Sequence, residues 1–200
     1  LVASLYKKGD PKNLENYRPI SLLNAMYKVI AGILQTRIEQ GIEKELQPTQ
    51  YGFRKHRSTA QAIYIIRRIQ DHAERSGKPV FLTFLDWEKA FDRIHHSKLI
   101  EALERMSVDP HLIALVTSLY TNPTFAVKIK GKQSDFYTQQ RGIRQGCPLS
   151  PYLFICTLSV IMHDVRAEVH DKLGLTPYSH SSAQPLTDLE YADDTILFTR

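Results

Sequence analysis

Two hundred residues, 42% of them hydrophobic and 10% aromatic, supply enough apolar material for one large domain or two packed lobes, which excludes a disordered chain. The net charge of +5 is unevenly spread: residues 1–80 hold 14 Lys/Arg against 7 Asp/Glu, whereas residues 81–200 hold 12 against 14. Cys147 and Cys156 are the only cysteines and neither has a Cys or His at zinc-finger spacing, so a disulfide scaffold and a structural zinc module are both set aside.

In chain order, Leu1–Tyr6 reads as a short strand, closed by the polar turn Lys7-Lys8-Gly9-Asp10-Pro11. A helix is expected near Leu22–Gln40, with Leu22, Leu23, Met26, Val29, Ile30, Ile33 and Leu34 at helical spacing. Pro48 to Ser58 reads as loop or short strands, and a second helix near Thr59–Arg75 starts from a Ser58 or Thr59 cap and stops before Gly77-Lys78-Pro79. The apolar run Val80–Leu85 has the composition of a buried strand and ends at Asp86. A helical turn near Glu88–Arg93 and helices over Ser97–Met106 and Pro110–Tyr120 come next. Phe125–Lys130 alternates and turns at Gly131-Lys132 toward Phe136-Tyr137-Thr138 as a hairpin. Another helix is expected within Pro148–His170; its apolar part, Pro151 to Met162, is too short to span a membrane. Lys172–Thr187 is polar and rich in Pro, Ser and His and reads as a flexible excursion before a final hairpin over Tyr191–Arg200. Strands and helices do not alternate regularly, so the fold class is α+β with a mainly antiparallel sheet. The chain opens at Leu1 and stops after an apolar run, which reads as a piece of a longer polypeptide.

Three carboxylates carry the chemistry. Asp193 and Asp194 stand where the chain must reverse before Thr195–Thr199 leaves as a strand, and Asp86 ends another strand about a hundred residues earlier. Paired strands lie only ~5 Å apart, so such ends could bring three carboxylates together. That cluster repels itself unless divalent cations occupy it, and a pair of oxygen-liganded Mg²⁺ ions is the usual device for in-line phosphoryl transfer. Equally, Asp86 could cap the next turn and Asp193-Asp194 could be a solvated turn; Asp92, one helical turn beyond Asp86, is expected to point away or cap locally. Arg141–Pro151 is a glycine-punctuated loop opening a helix, where Gly142 and Gly146 would let backbone approach a ligand and Gln145 could touch a base or sugar. Arg54-Lys55-His56-Arg57 offers cations for a triphosphate, or an ordinary solvated loop. Phe91 is either a pocket floor or a core aromatic. The basic first part and acidic second part suit a phosphate-holding surface facing a metal site, although plain surface charge accounts for them equally well.

In this order, Tyr6–Asp10, Asn16–Leu23, Gln50–Arg54, Leu85–Asp92, Gly142–Pro151 and Tyr191–Asp194 resemble the reverse transcriptase domain of non-LTR (LINE-class) retrotransposons. The resemblance implies a right-hand polymerase fold with helical fingers over residues 1–79, an antiparallel-sheet palm over 80–200 truncated after the Asp-Asp hairpin, and no thumb. It implies an RNA-directed DNA polymerase that adds dNTPs to a primer 3′-hydroxyl on an RNA template, using two Mg²⁺ ions, with Mn²⁺ as the alternative. Asp86 and Asp193 would bind both ions with the Trp87 backbone carbonyl, and Asp194 would complete the acidic cluster. Ala90 and Phe91 would meet the triphosphate, Arg54 would close on it, and Phe91 would exclude the ribose 2′-hydroxyl. Gln145 and Gly146 would line nucleotide and template, while Lys55, Arg57 and Arg18 would contact template or phosphate. Cys147 stands where many members carry an acidic residue and others cysteine. An intracellular, nuclear site of action follows from the family. A viral-type RNA-dependent RNA polymerase, a group II intron or retron enzyme, and a decayed non-catalytic RNA-binding remnant are the alternatives.

Overall fold

The fold comes from a computed structural model, which describes residues 1–173 and 186–199. Residues 174–185, most of the excursion expected over Lys172–Thr187, lie outside the described residues. β1 (Val2–Tyr6) and β2 (Tyr17–Ser21) form an antiparallel pair, in which Val2 faces Ser21 and Tyr6 faces Tyr17. The Asn24 side chain accepts from the Tyr27 amide at 2.7 Å and starts α1 (Ala25–Ile42), so Leu22 and Leu23 precede the helix. Ala31, Leu34, Ile38 and Ile42 are its buried apolar positions, whereas Met26, Val29, Ile30 and Ile33 are exposed.

α2 (Thr59–Ser76) opens with a reciprocal capping box between Ser58 and Gln61 and closes on Gly77, whose φ of +63° suits a residue without Cβ. β3 (Phe81–Leu85), the single turn α3 (Ala90–Arg93), α4 (His96–Arg105) and α5 (Pro110–Leu119) follow, α5 capped by Asp109 with proline in its first turn. The hairpin expected after Phe125 is broken into two ladders. β4 (Thr124–Phe125) pairs with β7 (Tyr137–Thr138), while β5 (Val127–Ile129) pairs with β6 (Lys132–Gln133) across Lys130 and Gly131. The break falls at buried Ala126, whose carbonyl accepts from the Val2 amide at 2.8 Å and leads β5 alongside β1 in parallel. α6 (Ser150–Leu173) and the hairpin β8 (Asp188–Tyr191) and β9 (Asp194–Thr199) complete the described elements.

The chain divides into two compact units. One joins Leu1–Glu43 to Phe91–Phe154 and holds the sheet β2-β1-β5-β6, the β4-β7 ladder and the packed helices α4 and α5. The other joins Lys44–Ala90 to Ile155–Arg200 and holds the sheet β3-β9-β8. In it Leu82 faces Phe198 and Leu189 faces Ile196 across the ladders, so these side chains share one sheet face. Ala62, Ile66 and Ile69 of α2 cover that face. Among the described residues no helix is long and apolar enough to cross a membrane.

Ser58 is exposed, yet it caps the helix that covers this sheet. Ser58→Ala is expected to lower the unfolding free energy by about 1 kcal/mol, read as a lower urea midpoint at unchanged slope.

Candidate active site

β3 runs antiparallel to β9 with Leu85 facing Thr195, so the next position sets Asp86 across from Asp194. β8 meets β9 with Tyr191 facing Asp194, which leaves Ala192 and Asp193 as the two-residue turn. Asp86, Asp193 and Asp194 are all exposed. Asp86, Tyr191 and Asp194 line one cleft of about 380 Å³, whose apolar wall includes Ile63, Ile66 and Phe84. Behind Asp86, the Trp87 indole donates to the Thr195 hydroxyl at 3.1 Å and ties the segment after β3 to β9.

Carboxylate oxygens are the donors a hard divalent cation prefers. The three aspartates supply such a set at one end of one sheet, so their chemistry fits the group. Their present rotamers do not close on it: among the described residues no three His, Cys, Asp or Glu side chains form a group that could hold a metal ion.

Beneath the hairpin lies a buried polar cluster that the sequence reading missed. Asp188 and Glu190 on β8 are 1% and 0% exposed. Arg166 of α6 donates from Nε to Asp188 Oδ1 at 2.7 Å and from Nη2 to both Asp188 Oδ2 and Glu190 Oε1. Thr49 donates to Asp188 at 3.0 Å. One guanidinium cannot neutralise two buried carboxylates, and Asp188 takes the bidentate share. Burial opposes ionisation of Asp188, but hydrogen bonds from Arg166 and Thr187, with the Arg166 charge, hold its carboxyl below the usual range. Burial, together with the charge of and a hydrogen bond to Asp188, pushes Glu190 up to about 8 against the opposing pull of Arg166 and Gln50.

The basic loop belongs to the same unit. Arg54 is 8% exposed and donates from Nη1 to the carbonyls of Gln47 at 2.7 Å and Gln50 at 3.1 Å, bracing its own loop. Arg57 donates to the Pro48 carbonyl at 2.8 Å and lies over the Tyr51 ring, while Lys55 is exposed.

The other unit gathers Phe91, Gln145 and Gly146. The Phe91 ring stacks on Phe154 with centroids 4.7 Å apart, and its carbonyl accepts from the Ile143 amide at 2.8 Å. Gly142 has φ +91°, and a Cβ there would stand 2.9 Å from the Asp92 carbonyl oxygen, so only glycine lets the loop lie against this turn. Gln145 Nε2 donates to Asp92 Oδ1 at 3.0 Å, so Asp92 orients the glutamine rather than capping its own turn. Arg144 lies over the rings of Tyr27 and Tyr120 and donates to the Tyr27 hydroxyl at 3.0 Å and the Leu119 carbonyl at 2.9 Å. Arg18 is exposed on β2, and Ala90 is half-buried at the start of α3.

Residues 6–200 match the model of the family described as reverse transcriptase (RNA-dependent DNA polymerase). The chain belongs to the reverse transcriptase family. Relatives of this domain include a 149 kDa protein of transposon TX1 from Xenopus laevis, 31% identical over 97% of this chain and 16% of the relative. The Pol polyprotein of retrotransposable element R2 from Popillia japonica is 28% identical over 96% of this chain and 26% of its own length. The RNA-directed DNA polymerase of mobile element jockey from Drosophila melanogaster is 27% identical over the whole chain and 21% of its own length. These are non-LTR retrotransposon proteins, the class that the motifs resemble. The chain spans about a quarter or less of the length of these curated relatives. Among solved structures, telomerase from Candida tropicalis in complex with a fragment of telomeric RNA matches with a TM-score of 0.61 at 14% identity, over 92% of this chain and 34% of that one. At that identity the likeness speaks for a shared polymerase fold alone. Members of the family use divalent metal ions in their chemistry.

Charged residues inside a buried strand, at Asp188 and Glu190, are the one local signal for the polar cluster; Thr49 and Arg166 carry none, and Gln50 stands out only as the first residue of the Gln50–Arg54 motif. Because Glu190 binds its proton more tightly in the folded state than in the unfolded chain, its contribution is greatest below about pH 4.5 and is lost as pH rises toward 8. Thermal unfolding from pH 5 to 8 is expected to show Glu190→Gln gaining stability relative to the parent as pH rises; a constant difference would refute the assignment.

Proposed function

We propose that this chain is the core of an RNA-directed DNA polymerase that adds dNTPs to a primer 3′-hydroxyl against an RNA template. The observation that most supports this reading is the cleft shared by Asp86 and Asp194, at the end of a sheet whose turn carries Asp193, in a chain of the reverse transcriptase family. Residues 1–79 are read as fingers and 80–200 as palm.

Asp86 and Asp193, with the Trp87 carbonyl, are the groups that would hold two Mg²⁺ ions or Mn²⁺, and Asp194 adds negative charge beside them. Ions held there would supply neutralisation of phosphate charge and a lowered pKa for the primer hydroxyl. The amides of Ala90 and Phe91 meet the triphosphate. Stacking on Phe154 keeps the Phe91 ring from turning aside, which is what a steric gate against a 2′-hydroxyl requires, because the wrong sugar must collide rather than displace the ring. Gln145, oriented by Asp92, and Gly146 line nucleotide and template. Arg54, Lys55, Arg57 and Arg18 supply positive charge to phosphates, Arg54 chiefly by fixing the loop that carries Lys55 and Arg57. Sequence is read by base pairing, so the protein needs to grip backbone and shape only. The RNA partner follows the names of the relatives and the RNA-bound telomerase, and a nuclear site of action follows the retrotransposon class.

The tests use the full-length parent protein with a primed RNA template. Asp193→Ala is expected to reduce cDNA synthesis by at least about 10³-fold, and undiminished synthesis would remove the metal-site assignment. Phe91→Ala is expected to raise ribonucleotide incorporation relative to dNTP by about tenfold or more. A parent that prefers ribonucleotides would refute the reading.

A further inference from the structure

Gln50 is a completely buried side chain beneath the Asp-Asp turn, and none of the chemistry above uses it. Its amide makes four hydrogen bonds. Oε1 accepts from the backbone amides of Ala192 at 3.0 Å and Gly52 at 2.7 Å. Nε2 donates to Glu190 Oε2 at 2.9 Å and to the Ala192 carbonyl at 3.3 Å. One carboxamide therefore grips Ala192 through both its amide and its carbonyl, and fixes itself to the residue two positions earlier. Ala192 needs that grip: its φ is +57°, in the left-handed region where a residue with a Cβ is disfavoured by roughly 1–2 kcal/mol. Main-chain pairing sets the same register, since the Tyr51 amide donates to the Glu190 carbonyl at 2.7 Å and the Glu190 amide to the Thr49 carbonyl at 2.9 Å. Gly52 closes the fit, because a Cβ there would stand 2.1 Å from the Ala192 nitrogen.

We propose that Gln50 is a positioning residue for the catalytic hairpin, holding Ala192 in its left-handed conformation and so setting the direction in which Asp193 and Asp194 are presented. The inference deepens the polymerase reading and rests on it for its catalytic consequence, but not for its conformational one. The residue type follows from the chemistry. Leucine at position 50 would leave two buried amide donors without acceptors. Glutamate would keep the acceptors but lose both donors, and would set a carboxylate against Glu190. Exchanging the pair, Gln50→Glu with Glu190→Gln, restores the bond between positions 50 and 190 with its polarity reversed and keeps the Gly52 and Ala192 amides satisfied, at the loss only of the longer 3.3 Å bond to the Ala192 carbonyl.

The experiment compares the full-length parent with Q50L, Q50E, E190Q and Q50E/E190Q. Amide hydrogen exchange over residues 190–194 is followed without nucleic acid, and primer extension is measured against dNTP and Mg²⁺ concentration. Q50L and Q50E are expected to exchange the turn at least about tenfold faster than the parent. They are expected to lower kcat about 10- to 100-fold with the dNTP KM within about threefold, and to raise the half-saturating Mg²⁺. Q50E/E190Q is expected to regain turn protection and most of the lost kcat, which non-specific loss of stability would not do. Parental exchange in Q50L, or a double variant no better than Q50E in exchange, overturns the inference. If Q50L does not fold, the comparison of Q50E with Q50E/E190Q decides. Full activity in Asp193→Ala would remove the metal-site assignment and a parent that prefers ribonucleotides the polymerase reading, and neither touches the conformational role, since turn exchange reports on Gln50 whatever the activity.

Discussion

The antiparallel register of β3, β9 and β8 is the constraint on which the candidate site depends. Leu85 faces Thr195 and Tyr191 faces Asp194, so Asp86 and Asp194 reach the same end of the same sheet. A slip of one residue in either ladder would send one carboxylate to the opposite face. The apolar layer prevents the slip: Leu82, Leu189, Ile196 and Phe198 meet Ala62, Ile66 and Ile69 of α2 only in this register. Burial of ordinary aliphatic side chains thus decides where three exposed aspartates stand.

The polar cluster below β8 does a different job. Apolar packing fixes a register but does not set the conformation of a turn, and Ala192 must be held where a residue with a Cβ does not rest by preference. Gln50, Glu190, Asp188, Thr49 and Arg166 link that turn to α6 and to the segment before the basic loop through buried and part-buried hydrogen bonds. Two carboxylates on one guanidinium would be unfavourable if both were charged; a proton retained on Glu190 relieves the conflict.

In the other unit, Gly142 supplies close approach to the Asp92 backbone, while Arg144, held over Tyr27 and Tyr120, anchors the loop from its far side. Directly after these anchors Gln145 has its side-chain amide oriented by Asp92. An orienting partner of this kind lowers the entropy a ligand must remove on binding.

Local sequence by itself determined the α+β class, most of the helices with β1 and β3 in their order, and the family, whereas β2, β6 and β8 were not foreseen as strands. Capping residues, strand composition and prolines act within a few positions, so α2, α4, α5, β3 and the last hairpin begin and end close to where Ser58, Gly77, Asp109, Pro110 and the Asp-Asp turn put them. Asp86, Asp193 and Asp194 were legible because each ends or opens an apolar run. What tertiary structure alone decided involves partners far apart in the chain. The meeting of Gln50 with Glu190 and Ala192, and of Thr49 with Arg166, leaves no periodic trace. The splitting of the hairpin after Phe125 depends on β1 more than a hundred residues earlier, because β5 gains a neighbouring strand there. The inner face of α1 at Ala31, Leu34, Ile38 and Ile42 was likewise chosen by surroundings, since Met26, Val29 and Ile33 are as apolar and as regularly spaced yet remain exposed. Hydrophobic spacing says that a face exists; only packing says which face is covered.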